Sequence, residues 1–211
     1  KLGEMIKIGR RGSMSGTITI FGTQGHVAYP HLSNNPINTL VKICKKLNDQ
    51  KLDKGNKNFQ PSNLEFTSIN VNNRATNVIP AIAKAQFNIR FNNLHTSSSL
   101  KRKIHSIVKN LCKKNKCNFK VEYLANGDSF LTKPEKTIFM AKKIIKKVTK
   151  VNPKFSTTGG TSDARFIKSI SPCLEFGLVN KTMHKVDECV SITDLKKLTN
   201  IYQNILIEYF K

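Results

Sequence analysis

Thr17-Ile-Thr-Ile-Phe-Gly-Thr-Gln-Gly-His-Val-Ala-Tyr-Pro-His31 is the stretch that decides how this chain is read. Its first five residues alternate polar and apolar, the period of a half-buried strand. The next ten, Gly22 to His31, place two imidazoles and a phenol on a turn shaped by glycine and proline. Such a turn is a poor way to build a core and a good way to present a reactive side chain. Gly22 and Gly25 bracket His26 with residues that tolerate positive φ and close backbone approach, and Pro30 sets the exit direction. Beyond it, Pro36 suits the first turn of a helix. Ile37, Leu40, Val41, Ile43, Cys44 and Leu47 then recur at steps of three and four, the stripe of an amphipathic helix.

The same signals continue downstream. Leu64 to Val71 and Ala83 to Phe91 read as strands joined across Asn72 to Pro80, a connection too polar for a core. Ser97-Ser98-Ser99 supplies an N-cap for a second helix with Leu100, Ile104, Ile107, Val108 and Leu111 facing inward, and Phe119 to Tyr123 reads as a closing strand. The order β-α-β-β-α-β over residues 15–125 is that of a ferredoxin-like unit, two helices covering one face of an antiparallel sheet. Asn126-Gly127-Asp128 breaks the pattern. Pro134 to Lys150 reads as a helix with Ile138, Ala141, Ile144, Ile145 and Val148 inward. A Thr/Gly-rich loop, a short helix to Ile167, a strand around Pro172 to Phe176, a His-bearing loop and a helix from about Ile192 to Phe210 complete the chain. One or two strands cannot close a sheet, so this section reads as half of an α/β domain.

Length and composition suit a globular protein: 211 residues, 38% of them apolar. The formal charge of +23 would by itself suggest a polyanion partner. Yet only Arg10, Arg11, Arg74, Arg90, Arg102 and Arg165 among the 36 basic residues are arginine. The lysines fall in runs such as Lys142-Lys143 and Lys146-Lys147, on the polar faces of helices, where they are solvated. With no Trp and four Tyr to stack on bases, no nucleic-acid partner is expected. Five Cys without a C-x-x-C pair argue against a disulfide framework and for a reducing cytoplasm. No run of about 18 apolar residues and no signal-peptide pattern appears, so neither export nor membrane insertion is expected. The chain opens at Lys1-Leu2-Gly3 without Met, which suggests a piece of a longer protein.

Four loops hold most of the chemistry. Lys7-Ile-Gly-Arg10-Arg11-Gly-Ser13 sets two guanidiniums beside glycines, suited to gripping a carboxylate. The turn around His26 is the second. Asn72-Asn-Arg-Ala-Thr-Asn77-Val-Ile-Pro80 offers amide donors, or amides that satisfy only their own turn. The fourth has two parts. Thr157-Thr-Gly-Gly-Thr-Ser-Asp163 precedes a helix with backbone N–H groups and hydroxyls suited to an anion. His184, near Asp187 and Glu188, resembles a metal-bound imidazole oriented by a carboxylate. A metal needs two or three further ligands, and no other cluster at suitable spacing exists.

Gly-Arg-Arg-Gly-Ser, Gly-His-Val-Ala-Tyr-Pro-His-Leu, Asn-Val-Ile-Pro, Thr-Thr-Gly-Gly-Thr-Ser-Asp-x-Arg-Phe and His-Lys-x-x-Glu-Cys-Val together resemble, in order and over essentially the whole chain, the succinyl-diaminopimelate desuccinylases of the dizinc M20 aminoacylase and peptidase family. The resemblance implies a fold in which residues 15–125 are a lid inserted into an α/β zinc-hydrolase domain and make a homodimer. Residues 1–14 would end the first catalytic-domain segment, and 126–211 would form its C-terminal segment. It implies a small-molecule substrate, N-succinyl-LL-2,6-diaminopimelate, and two Zn2+ per complete site, with Co2+ as a substitute. It makes His184 a metal ligand and His26 an oxyanion donor in the partner's site. Arg10, Tyr29, Asn77 and Arg90 would hold substrate or close the site, and Gly159, Gly160, Thr161 and Asn180 would line its cleft. The family's His-x-Asp and Glu-Glu segments are missing from residues 1–211, so the chain alone is expected to be inactive. The competing readings are an acetylornithine deacetylase-like amidohydrolase and a basic RNA-binding module.

Overall fold

A computed structural model describes residues 1–211, the side chains of Ala125 and Asn126 excepted. In chain order its elements are β1 (Met5–Lys7), β2 (Gly9–Arg10), β3 (Gly12–Phe21), β4 (Gly25–His26), a 3-10 turn (Pro30–Leu32), α1 (Pro36–Asn48), β5 (Asn63–Asn70), β6 (Val78–Ile79), β7 (Ile82–Phe91), α2 (Ser97–Lys114), β8 (Asn118–Gly127), β9 (Phe130–Leu131), α3 (Lys136–Thr149), β10 (Lys154–Ser156), α4 (Ala164–Ile167) and α5 (Ile192–Tyr209). The chain divides into two compact units, Arg11–Ser129 and Lys1–Arg10 with Phe130–Lys211. The first extends four residues beyond each expected bound, because β3 begins at Gly12 and β8 runs on to Gly127.

In the Arg11–Ser129 unit the sheet order is β5-β7-β3-β8, all antiparallel, with α1 and α2 on one face. This is the ferredoxin-like arrangement. Alternation decides which face is buried: Met14, Ile18 and Ile20 of β3 lie opposite Ile89, Ala85 and Ala83 of β7, and all six are sealed from solvent. Gly16 lies opposite Phe87, and the ring fills the space above the glycine. Leu40, Ile43 and Leu47 of α1 and Leu100, Ile104, Val108 and Cys112 of α2 close the core. Val41, expected on the inner stripe, is instead 56% exposed, since the burying arc of α1 is narrower than the apolar pattern.

Local chemistry sets the helix starts. Pro36 occupies the first turn of α1, and the Asn35 side chain accepts from the Ile37 N–H at 2.9 Å. The cap of α2 is Thr96, not the serine triplet: its hydroxyl accepts from the Ser99 N–H and the Ser99 hydroxyl accepts from the Thr96 N–H. The expected break at Asn126-Gly127-Asp128 sits at Gly127, whose φ is +125°, with the register shifting opposite Ser13 and Met14; the side chain of residue 126 lies outside the described set.

The other unit is built on β1. It pairs in parallel with β10 and bridges Glu175 in the antiparallel sense through reciprocal Lys7–Glu175 backbone bonds of 2.8 Å. The strand expected over Pro172 to Phe176 is reduced to this single bridge. Ile6, Ile8, Ile138, Ile145, Phe176 and Ile201 form the core. Leu206 and Ile207 of α5 and its C-cap Phe210 are exposed.

Candidate functional site

The ten residues after β3 form a short ribbon. Gly25 and His26 pair with Ile79 and Val78, and the Val27 N–H donates to the Asn77 carbonyl at 3.1 Å. His26 and the Asn77 backbone, about fifty positions apart, are thereby neighbours. Gly22 and Gly25 do not adopt positive φ; what requires glycine is close approach, since a Cβ on Gly22 would lie 2.1 Å from the Asn34 carbonyl and one on Gly25 2.7 Å from Ser33 Cβ. Asn34 ties the loop to the end of α2 by donating to the Asn115 and Lys116 carbonyls at 3.1 and 2.8 Å.

His26 is exposed, and its Nδ1 accepts from the Ala28 N–H at 3.1 Å. Only a lone pair can meet that N–H, so the neutral imidazole carries its proton on Nε2 and presents a donor outward. Tyr29 stands 5.8 Å from it between ring centroids, and His31 6.4 Å beyond. Asn73 serves its own turn, accepting from the Ala75 N–H and donating to the Val78 carbonyl.

Arg90 lies on β7 between Ser13 and Asn63 in neighbouring strands. Its Nη1, the Ser13 hydroxyl and Arg11 Nε are buried without a hydrogen-bond partner among the described residues. Arg11 Nη1 donates to the Asn63 side chain at 3.0 Å and to the Pro61 carbonyl at 3.2 Å. Burial and the nearby Arg90 charge lower the Arg11 pKa, against the opposing pull of Asp53. Unmade bonds of buried donors cost about 1–3 kcal/mol each, which an incoming acceptor relieves. Ser13 was not among the expected site residues. It closes the Gly-Arg-Arg-Gly-Ser motif, but only the cross-strand register sets it against Arg90.

In the other unit, Arg10 Nε donates to Glu175 at 2.6 Å and Nη1 to the Thr158 carbonyl at 3.0 Å. Gly159 has φ +108°, a conformation that favours glycine, and a Cβ there would also press on Arg10 Nη1 at 2.3 Å. Gly160 has open space around it. Thr161 borders an open recess of about 600 Å³ shared with Ala164, Ile167, Cys173 and Glu175. Asn180 is exposed, and its carbonyl accepts from the Met183 N–H.

His184 is exposed, with φ +64°. Its neighbour in space is Glu188, which accepts from the His184 backbone N–H at 3.3 Å. Thr182 closes the loop by hydroxyl bonds with the Cys189 backbone at 2.9 and 3.0 Å. No group of three or more His, Cys, Asp or Glu that could hold a metal occurs among the described residues. A dizinc centre therefore does not fit this chain's residues alone.

The helix-free face of the four-stranded sheet presents Ser15, Thr17, Gln86, Asn88 and Glu122 at its centre. No helix among the described residues is long and apolar enough to cross a membrane.

Comparison with known proteins places these features. The family model described as peptidase dimerisation domain, of the M20 group, matches residues 8–116. A succinyl-diaminopimelate desuccinylase of Pelagibacter ubique (strain HTCC1062) is 65% identical over 210 residues, covering 100% of this chain and 55% of that protein. One of Rickettsia bellii (strain RML369-C) is 48% identical over 208 residues, covering 99% and 53%. The chain thus spans about half the length of the curated relatives it matches. Among solved structures, the aminopeptidase PepT of Bacillus cereus ATCC 10987 has a TM-score of 0.84 at 18% identity, covering 100% of this chain and 55% of that one. The M20 family metallo-carboxypeptidase Sso-CP2 of Sulfolobus solfataricus has a TM-score of 0.74 at 15% identity, covering 96% and 59%. These likenesses concern the fold. Since the family model matches more than half of its residues, the chain belongs to the M20 peptidase dimerisation-domain family.

Proposed function

We propose that this chain is the lid and C-terminal catalytic segment of a zinc-dependent amide hydrolase, one that cleaves N-succinyl-LL-2,6-diaminopimelate to succinate and LL-2,6-diaminopimelate. The observation that carries this reading is the His26 geometry. An outward Nε2–H, held by the Ala28 N–H on the opposite nitrogen, is the donor needed for the oxyanion of a tetrahedral intermediate. The 65% identity to a desuccinylase over the full length of the chain supports the substrate.

In this reading residues 15–125 make the homodimer, and His26, with Tyr29 and Asn77 beside it, serves the partner's site. Arg90, with its unpartnered buried Nη1, takes a substrate carboxylate. Arg10 holds the Gly159-Gly160-Thr161 loop and, with Asn180, shapes the cleft. His184 contributes one metal ligand. The remaining ligands and the base that activates water lie outside these 211 residues, so the chain by itself is inactive and the complete protein works in the cytoplasm.

Steady-state kinetics of the full-length protein on N-succinyl-LL-2,6-diaminopimelate and on N-acetylornithine test the reading. A higher kcat/KM for the succinyl substrate is expected. A preference for acetylornithine overturns the substrate, and no hydrolysis of either amide overturns the activity.

A further inference from the structure

Lys7 has no role in the reading above, yet its ammonium meets three groups of its own unit. It is the last residue of β1, in register with Ser156 of β10 on one side and with Glu175 on the other, so the three side chains share one face of the strands. Nζ donates to Thr158 Oγ1 at 2.7 Å, to Ser156 Oγ at 3.0 Å and, weakly, to Met5 Sδ at 3.6 Å. All three ammonium hydrogens are thereby directed at groups of this chain. The two hydroxyls bond each other at 2.9 Å, and the Thr158 N–H donates to Ser156 Oγ at 3.2 Å.

Thr158 is consequently held at both ends. Lys7 holds its hydroxyl, and Arg10, itself braced by Glu175, holds its carbonyl. The next residue is Gly159, whose left-handed backbone and contact with Arg10 set the direction in which the Gly159-Gly160-Thr161 loop leaves the strand. A side chain at Gly160 would meet only open space. Thr158, held at both its hydroxyl and its carbonyl, is an anchor at the root of the loop.

The geometry points to Lys7 as a positioning residue: its ammonium, by fixing Thr158, holds the Gly159-Gly160-Thr161 loop in the conformation that receives substrate. An ammonium already spent on two hydroxyls and a thioether does not itself contact substrate, so its effect runs through the loop. The link to substrate rests on the reading under Proposed function; the anchoring of the loop does not.

The test uses the full-length protein with Lys7→Met, Lys7→Arg and Thr158→Val, read by hydrogen exchange over residues 157–163 and by steady-state kinetics. Lys7→Met keeps the apolar stem and removes the donors. It is expected to speed loop exchange about tenfold or more and to raise KM about tenfold with kcat within about threefold, the pattern of lost substrate positioning. Lys7→Arg restores much of both. Thr158→Val reproduces Lys7→Met, and the double variant is no worse than the worse single one. Unchanged loop exchange in Lys7→Met overturns the proposal, as does a faster loop with an unchanged KM. A loop that loosens in a protein whose parent does not hydrolyse the succinyl amide leaves the anchoring standing and removes the function proposed for the site. Should Lys7→Met fail to fold, Thr158→Val decides by the same two readouts.

Discussion

The carboxylate of Asp53 lies 3.2 Å from the imidazole Nε2 of His95, in a corner beside the end of β7 where the Asp53 side chain is only 7% exposed. Burial there works to raise the Asp53 pKa, but it is outweighed by Ser62, the Gly55 N–H and the Asn92 amide, the last two at 2.6 and 2.7 Å, and the net result is a lowered value. A carboxyl whose folded pKa is depressed stabilises the fold above its unfolded value, and that contribution is lost as pH falls through the folded value. Asp53→Asn is expected to cost about 1–3 kcal/mol at neutral pH and to flatten the acid side of the stability profile. Urea unfolding of parent and variant between neutral pH and the carboxylate range measures both; a variant as acid-sensitive as its parent contradicts the assignment.

Two glycines separate packing from openness. A Cβ on Gly16 would meet Phe87 Cζ at 2.2 Å inside the core, whereas one on Gly160 meets nothing within 4 Å. Gly16→Ala is expected to destabilise by about 1–3 kcal/mol through overpacking, and Gly160→Ala to stay within about 0.5 kcal/mol of the parent. Thermal denaturation distinguishes them.

Thr96→Ala removes the cap of α2 and one half of its reciprocal pair with Ser99. A loss of about 1 kcal/mol is expected. The same change at Ser98, which takes no part in the capping pair, should leave the unfolding midpoint nearly unmoved.

Burial pushes the Cys44 thiol up to about 11, and burial together with neighbouring Cys117 pushes the Cys112 thiol up to about 11. Cys189 is exposed. Iodoacetamide at neutral pH should therefore label Cys189 well before Cys44 or Cys112, since the thiolate is the reacting form. Peptide mass mapping over time would show the order.

His26→Ala in the full-length protein should lower kcat by ~10²- to 10³-fold, as removal of other oxyanion donors does, with bound metal unchanged. Turnover close to that of the parent would take His26 out of the site.

Several of these elements are legible in sequence because their signals are local. The alternation of Thr17 to Phe21 marks a strand, and the three- and four-residue spacing of Leu40, Ile43 and Leu47 or of Leu100, Ile104 and Val108 marks helices. The β-α-β-β-α-β order then leaves few ways to arrange one sheet with two helices. The motifs around His26 and Gly159 are equally local, so their candidacy as site residues could be read directly.

What only the tertiary structure decided depends on contacts between distant positions. β1 and β10 have three residues each, too few to show a period, and their parallel pairing joins segments about 150 residues apart. The Arg10–Glu175 ion pair and the Lys7–Thr158 bond follow from that pairing and have no signature of their own. Ser13 lies against Arg90 because β3 and β7 pair in that register. The sequence by itself determined the long strands and helices and the turn that carries His26, since neighbouring side chains sort themselves by period. The fold alone decided what those turns hold, because hydrogen-bond partners are chosen by position in space.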